Sequence, residues 1–388
     1  MRILAVATHP VQYLAPLFRL AAARPGIELT VAYGSLQGAT AGHDPEFGVE
    51  VAWDVPLLDG YRWTAPRNLR RTPSLEGFLG QVHPGLVPLA ARGADVVVVY
   101  GYRNASLALA SAAAKLGRPA VALVSDAQAL APRAGTWKLP LKRLLLPRVY
   151  RAYDGVLGMS SRSVRFAREL GVPEERAFLL PYVVDNAFFA ARAAAADASA
   201  TRERLGIPVD APLALFAGKL VPWKRPGDLL EAAARVDGLH VAWAGDGGLR
   251  AELEARAEAL GVAGRMRFLG FVGQQELPEL YAAADLLCLP SEYEPFGLVV
   301  NEAFACGTPA VVSEACGAAG DLVHDGETGY VVPVGDVAAL AARVGRMAAD
   351  ADERERLARG ARARIAEWGP EQHVDALVEA CRALAALR

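Results

Sequence analysis

The sequence predicts an α/β protein made of two doubly wound parallel-sheet domains facing each other across a cleft, and three observations carry that prediction. Short apolar runs alternate with helical segments almost throughout the chain, the pattern that βαβ units leave. The series of strands breaks off past the middle and starts afresh. The 388 residues are 53% hydrophobic and only 22% charged, enough for two large cores.

Taken in order, the strands of the first half are RILAVA (2 to 7), IELTVAY (27 to 33), DVVVVYG (95 to 101), AVALVS (120 to 125), GVLGMS (155 to 160) and AFLLPYV (177 to 183). The second series is LALFAGKL (213 to 220), HVAWAG (240 to 245), MRFLGFV (266 to 272), DLLCLP (285 to 290) and PAVVS (309 to 313). Between them "AARAAAADASATRERLG" is low in complexity and poor in strand formers, which places a boundary near residues 185 to 210. The expected domains are 1–190 and 205–368, with a last helix over 369–388 returning to the first. In doubly wound sheets ligands bind beyond the carboxyl ends of the strands, so the cleft is the expected site.

Composition excludes several classes. A formal net charge of −2 offers no global basic field to recruit nucleic acid. The four cysteines, Cys288, Cys306, Cys316 and Cys381, form no CxxC pair and read as core thiols of a reduced, cytoplasmic compartment. "MRILAVATHP" is one strand and a turn, without the apolar core of a signal peptide, and no stretch has the apolar length of a membrane span. The segment "TWKLPLKRLLLPRVYRAY" (136 to 153) is basic with interleaved Trp, Leu and Tyr. It reads as an amphipathic surface helix, weakened by Pro140 and Pro147, and leaves peripheral contact with an anionic membrane or an acidic acceptor open.

Two segments carry the chemistry. In "SEYEPFGLVVNEAFACGTPAVV" (291 to 312) a buried strand precedes Pro295, a helix is expected from there, and Gly307 stops it. Glu294 then stands at the helix N-terminus and Glu302 inside the helix. Unpaired N–H groups at such a corner accept an anion, and an acid at each end fits a ligand with hydroxyls around its phosphate. A cap at Glu294 with a solvated acid at Glu302 is the simpler alternative. The second segment is "AGKLVPWKRPGDLL": this arginine-rich chain has only five lysines, and two of them, Lys219 and Lys224, fall in this one turn. Two point charges facing free helix amides suit a diphosphate.

Other signals are weaker. Gly245, Gly247 and Gly248 of "WAGDGGLRAEL" match a dinucleotide fingerprint only partly, and tight-turn geometry explains them as well. The six histidines lack metal-ligand spacing, so no metal site is expected. In the first half His9, Gln12, Tyr102, Arg103, Asn104 and Asp126 follow strand ends and are candidates for a second substrate's pocket, with a turn cap before Pro10 as the simpler alternative for His9.

Four stretches in register, "FAGKLVPWKRPGDLLEAA", "AGDGGLRAEL", "RFLGFVGQQELPELYAAADLLCLPSEYEPFGLVVNEAFACGTPAVV" and "DGETGYVVPVGD", resemble the GT-B family 4 of retaining glycosyltransferases, which includes sucrose-phosphate and glycogen synthase-like enzymes. The resemblance implies two Rossmann-like domains, acceptor in the first and donor in the second. It implies a nucleotide-diphosphate sugar as donor substrate, with UDP the expected nucleotide, an unidentified acceptor, and no cofactor or metal. By the same resemblance Glu294 and Glu302 contact the donor sugar and the ribose. Lys219 and Lys224 contact the diphosphate, with Gly218 in the turn; the amides of Phe296, Gly297 and Leu298 complete the cradle, and Gly270, Phe271 and Val272 pack beside the base. Lys219, Lys224 and Glu294 are the expected catalytic residues.

The chain departs from the family pattern at Lys219, where arginine is usual, at Thr8-His9-Pro10 in place of a glycine pair, at Ser125-Asp126 in place of a histidine, and at Pro181-Tyr182-Val183-Val184-Asp185 in the hinge. A related coupling enzyme with a non-sugar donor or a nitrogen or sulfur acceptor, and a non-catalytic nucleotide-sugar-binding subunit, stay open as alternatives.

Overall fold

The computed structural model describes all residues except 40, 41, 45–48, 52–55, 71–73, 76, 131–138 and 388. The strands in chain order are β1 (Arg2–Ala7), β2 (Glu28–Tyr33), β3 (Gly42–Asp44), β4 (Val49–Val51), β5 (Arg62–Thr64), β6 (Val96–Tyr100), β7 (Ala120–Ser125), β8 (Gly155–Gly158), β9 (Ala177–Leu179), β10 (Leu213–Ala217), β11 (His240–Ala244), β12 (Met266–Gly270), β13 (Leu286–Leu289), β14 (Ala310–Ser313) and β15 (Gly329–Val332). They form a seven-stranded sheet of order β5-β2-β1-β6-β7-β8-β9, a six-stranded sheet of order β12-β11-β10-β13-β14-β15, and a short β3-β4 pair. The pairings within both large sheets are parallel. Two Rossmann-like sheets with flanking helices are therefore present, as expected.

The chain divides into two compact units, one of Met1–Gly42, Val51–Tyr182 and Pro370–Arg388, the other of His43–Glu50 and Val183–Gly369. In the first, Val96 to Val99 are at most 1% exposed, because helices cover both faces of the sheet and a strand buried on both sides has no polar face to show. In the second, Trp243 is fully buried and stacks on Phe268 at 5.5 Å and 7°. Burying each such large apolar side chain contributes roughly 1.5–3 kcal/mol.

Several expected boundaries shift. The strand expected to run to residue 220 ends at Ala217, because Gly218 turns the chain at φ 143°. AFLLPYV is a strand only to Leu179, and β5 and β15 were not anticipated. The Ala-rich stretch after 185 is helical, Asn186–Ala195 and Ala198–Arg204, as its strong helix formers dictate. Those helices pack in the second unit: Phe189 is fully buried, and the guanidinium of Arg202 donates to the carbonyls of Ala283 and Ala211 and to Asp285. Residues 136 to 138 of the basic segment lie outside the described residues; the helix runs Leu139–Ala152, with Pro140 in its first turn and Pro147 inside. The last helix, Pro370–Ala386, is part of the first unit, where buried His373 bonds the Pro181 carbonyl at 2.7 Å and Arg24 bonds Asp375 at 2.7 Å.

Candidate functional site

In the second sheet the strand order reverses at β10, which lies between β11 and β13. A crevice opens at such a point because the chain leaves the two neighbouring strands toward opposite sides. The loops at the carboxyl ends of β10 and β13 are the lysine turn and the Glu294 corner. A short 3-10 turn, Pro222–Lys224, leads to Arg225, the one non-glycine residue with positive φ (49°) among those described. The Arg225 N–H donates to the Pro222 carbonyl at 3.0 Å, which closes the 3-10 turn, and Pro226 begins the next helix. Asp228 holds the Arg225 guanidinium through two bonds of 2.7 and 3.1 Å.

This turn is sewn to its neighbours by backbone. Gly218 N–H donates to Ala244 O at 2.9 Å and Leu220 N–H to Asp246 O at 2.8 Å. A Cβ on Gly245 would come within 1.9 Å of Gly218 O, and one on Gly247 within 2.5 Å of Leu220 O. The glycines of WAGDGG are thus explained by two backbones in contact. On the other side Glu292 N–H donates to Trp223 O at 2.8 Å, which ties the lysine turn to the Glu294 corner.

The ammonium of Lys224 and the carboxylate of Glu294 form an ion pair, their side chains only 18% and 10% exposed. Lys224 Nζ also lies 3.6 Å from where a Cβ on Gly218 would sit, so the ammonium packs against the Gly218 backbone. Lys219, half-buried, precedes the 3-10 turn. The helix expected from Pro295 begins instead at Leu298 and ends at Ala305. Its N-cap is Gly297, at φ 94°. A Cβ there would meet Leu289 Cδ2 at 2.9 Å and Cys316 Sγ at 3.0 Å, so both conformation and space demand glycine. Phe296 therefore lies outside the helix, buried and stacked on Trp368, and Glu294 is no helix cap. The first amides of the helix lack intrahelical partners and carry the positive end of its dipole.

Glu302 is fully buried, and Tyr281 donates its hydroxyl to Glu302 Oε2 at 2.7 Å. It is not the solvated acid of the simpler alternative. Gly270 (φ 72°) ends β12, and Phe271 (38% exposed) and half-buried Val272 follow it. Beside Gly270 stands the Asp246–Arg250 pair at 3.1 Å.

In the first sheet the order reverses at β1, which lies between β2 and β6. His9 is half-buried, its Nδ1 2.9 Å from Thr8 Oγ1, and burial lowers its pKa. Gln12 is buried with Oε1 unpaired. Tyr102 is half-buried and packs edge-on against Tyr150 at 5.8 Å. Asp126 is exposed at its side chain, and desolvation by the surrounding chain raises its carboxyl pKa, opposed by its own amide and by Arg103. Beneath these loops Gln81 donates to Thr8 O at 3.1 Å and accepts from Asn104 at 3.2 Å, while buried His83 bonds Ser106 at 2.7 Å.

Residues 197–364 match the model of the glycosyl transferases group 1 family, and residues 6–183 that of the glycosyl transferase 4-like domain. Together the two matches take in most of the chain. The chain belongs to the group 1 glycosyl transferases. As a member of that family it is 44% identical over 202 residues to the D-inositol 3-phosphate glycosyltransferase of Geodermatophilus obscurus, a match to 49% of this chain and 44% of that protein. It is 36% identical over 179 residues to the lipopolysaccharide core biosynthesis glycosyltransferase LpsE of Rhizobium meliloti, 46% of this chain and 52% of that one. The matches therefore span about half the length of these curated relatives.

Among solved structures, HepE of Anabaena in complex with UDP superimposes with a TM-score of 0.74 at 22% identity, over 98% of this chain and 99% of that one. Sucrose-phosphate synthase of Thermosynechococcus elongatus gives 0.73 at 21% identity over the whole of both chains. At these identities the likeness is one of fold, the GT-B fold.

In this group 1 glycosyl transferase the structure brings together Gly218, Lys224 and Glu294, and sets Gly297 and Leu298 at the start of the same corner's helix. Tyr281, the Asp246–Arg250 pair and Gln81, the partner of Asn104, were not among the residues singled out in the sequence. Asn104 alone left a local signal, a side-chain cap on Leu107 N–H at the head of an alanine-rich helix.

Proposed function

We propose that this chain is a retaining glycosyltransferase that moves a sugar from a nucleotide-diphosphate donor, UDP-linked by first expectation, to an acceptor held by the loops of its first unit. The observation that carries the reading is the Lys224–Glu294 pair at the β10–β13 reversal, beside a helix N-terminus. A diphosphate drawn to Lys219, Lys224 and the amides of Phe296, Gly297 and Leu298 would compete with Glu294 for the Lys224 ammonium. That exchange frees Glu294 to accept hydroxyls of the donor sugar. Gly270, Phe271 and Val272 would take the base. His9, Gln12, Tyr102 and Asp126 would take the acceptor, and the unpaired Gln12 Oε1 supports a hydroxyl donor there.

In the reaction so proposed, the bond from the anomeric carbon to the diphosphate oxygen breaks and a bond from the acceptor atom to the same face forms. The acceptor's proton passes to the departing phosphate oxygen. The lysines and the helix dipole offset the charge that grows on the diphosphate, without a metal or cofactor. The HepE structures with UDP and with UDP-glucose support a nucleotide-sugar donor by analogy.

The test is a thermal-shift screen of UDP-, GDP-, ADP- and dTDP-sugars followed by turnover or donor hydrolysis. A ligand at about a hundredfold its dissociation constant stabilises by roughly 2.7 kcal/mol. Stabilisation by one nucleotide class together with sugar release supports the reading. Stabilisation without any turnover would leave a binding subunit, and no stabilisation at all would overturn the assignment.

A further inference from the structure

Arg225, one residue past Lys224, combines a disfavoured backbone with a fully engaged side chain. Its φ of 49° and ψ of 47° are left-handed, where an L side chain crowds its own backbone and glycine does not. Its guanidinium reaches segments that follow three different strands. Nε and Nη2 bond the two carboxylate oxygens of Asp228, at 2.7 and 3.1 Å, in the first turn of the helix Pro226–Ala233 that follows β10. Nη1 lies 3.7 Å from Glu292 Oε2, two residues before Glu294 in the corner that follows β13. Nη2 also lies 3.1 Å from where a Cβ on Gly335 would sit, so the fork packs on the backbone of the turn that follows β15.

Closing the 3-10 turn does not call for this side chain. That closure uses the Arg225 N–H alone, and glycine would supply the same donor in the same conformation without crowding. What glycine lacks is the fork. A two-point, charge-assisted contact with Asp228 offsets the backbone cost and fixes where the guanidinium points, which a lysine ammonium could not do. The lysine turn is then joined to the Glu294 corner twice, by backbone from Glu292 N–H to Trp223 O at 2.8 Å and by charge from Arg225 to Glu292. Lys224 stands between those two ties, with its ammonium on Glu294.

We propose that Arg225 is a positioning residue for the diphosphate site: its fork holds the lysine turn against the Glu294 corner and so sets the Lys224 ammonium in place before a donor arrives. It acts through Lys224 and contacts no donor atom. The functional part of this inference rests on the donor reading above, whereas its geometry rests on the ion pair alone.

The test uses the full chain and begins without nucleotide. Lys224→Ala, Glu294→Gln and the double variant are unfolded in urea with Arg225 present and again in an Arg225→Gly background. The glycine keeps the left-handed turn and removes only the fork. Coupling between Lys224 and Glu294 should fall by more than half in that background, and Arg225→Lys, which keeps the charge without the fork, should restore only part of it. Coupling unchanged by Arg225→Gly, full restoration by Arg225→Lys, or no coupling in the parent would each overturn the proposal.

Calorimetric titration with UDP then reads the function. Arg225→Gly, its fold verified by circular dichroism, should bind UDP about tenfold more weakly, the scale of coupling between neighbouring residues. A residue that served stability alone would leave the affinity of the folded variant at the parent's value, and that result would overturn the positioning role. A parent that binds none of UDP, GDP, ADP and dTDP would overturn the donor reading instead, and the coupling measured without nucleotide would still decide for or against Arg225.

Discussion

The side chains of Lys224 and Glu294, 70 residues apart in sequence, meet as an ion pair where β10 and β13 lie side by side. At exposures of 18% and 10% neither charge is well solvated, so removing one leaves the other poorly satisfied. Lys224→Ala should lower kcat more than it raises donor KM, because the charge it answers grows as the glycosidic bond breaks. A cycle with Glu294→Gln should show coupling of about 1–3 kcal/mol in melting experiments. Additive effects, or a change in KM alone, would show that the pair is not the working unit.

Gly297→Ala tests the corner itself. The substitution puts a Cβ against Leu289 and Cys316 at a φ of 94°, which should cost about 1–3 kcal/mol of stability and shift the first amides of the helix. Donor KM should rise with it. A variant as stable as the parent and as good a donor binder would mean that the amides take no part.

Glu302 and Tyr281 separate a ligand contact from a structural acid. Glu302→Ala removes the carboxylate that accepts from the Tyr281 hydroxyl in a buried place and should cost about 1–3 kcal/mol, whereas Tyr281→Phe removes the donor and leaves the carboxylate. If Glu302 serves the ribose, its alanine variant raises donor KM well beyond what Tyr281→Phe does. Equal melting losses with unchanged donor affinity would assign Glu302 to the fold alone.

Retention and metal independence have a direct assay. Proton NMR of the product should show the donor's anomeric configuration, and activity should persist in EDTA. An inverted product, or activity lost in EDTA and restored by magnesium, would refute the proposed route.

Acid should weaken the first unit through His373. Burial holds its pKa down to about 4, against 6.5 for an unperturbed imidazole. The folded value lies below the unfolded one, so the unfolded chain binds the extra proton between them, and stability is full above 6.5 and lost as pH falls toward 4. At about 1.4 kcal/mol per pH unit the loss between pH 6.5 and 5 is roughly 2 kcal/mol. Urea melts over that window should be steeper in pH for the parent than for His373→Gln. Equal slopes would show that another group governs.

What the sequence determined by itself is the architecture and its local chemistry. RILAVA coincides with β1 and AVALVS with β7, because a parallel strand covered on both faces must be apolar without interruption, and that is visible in the chain. The concentration of two lysines in one turn, and the basic run around Leu144, were equally open to reading. Only the tertiary structure decided that β13 lies against β10, so that Glu294 finds Lys224. It also decided that Gly297 rather than Pro295 heads the helix, because Leu289 and Cys316 close the space around it, and that Glu302 turns inward to Tyr281 instead of outward to water. Each of these depends on side chains that are distant in sequence and adjacent in space, and residue spacing along a single segment carries no information about such a neighbour.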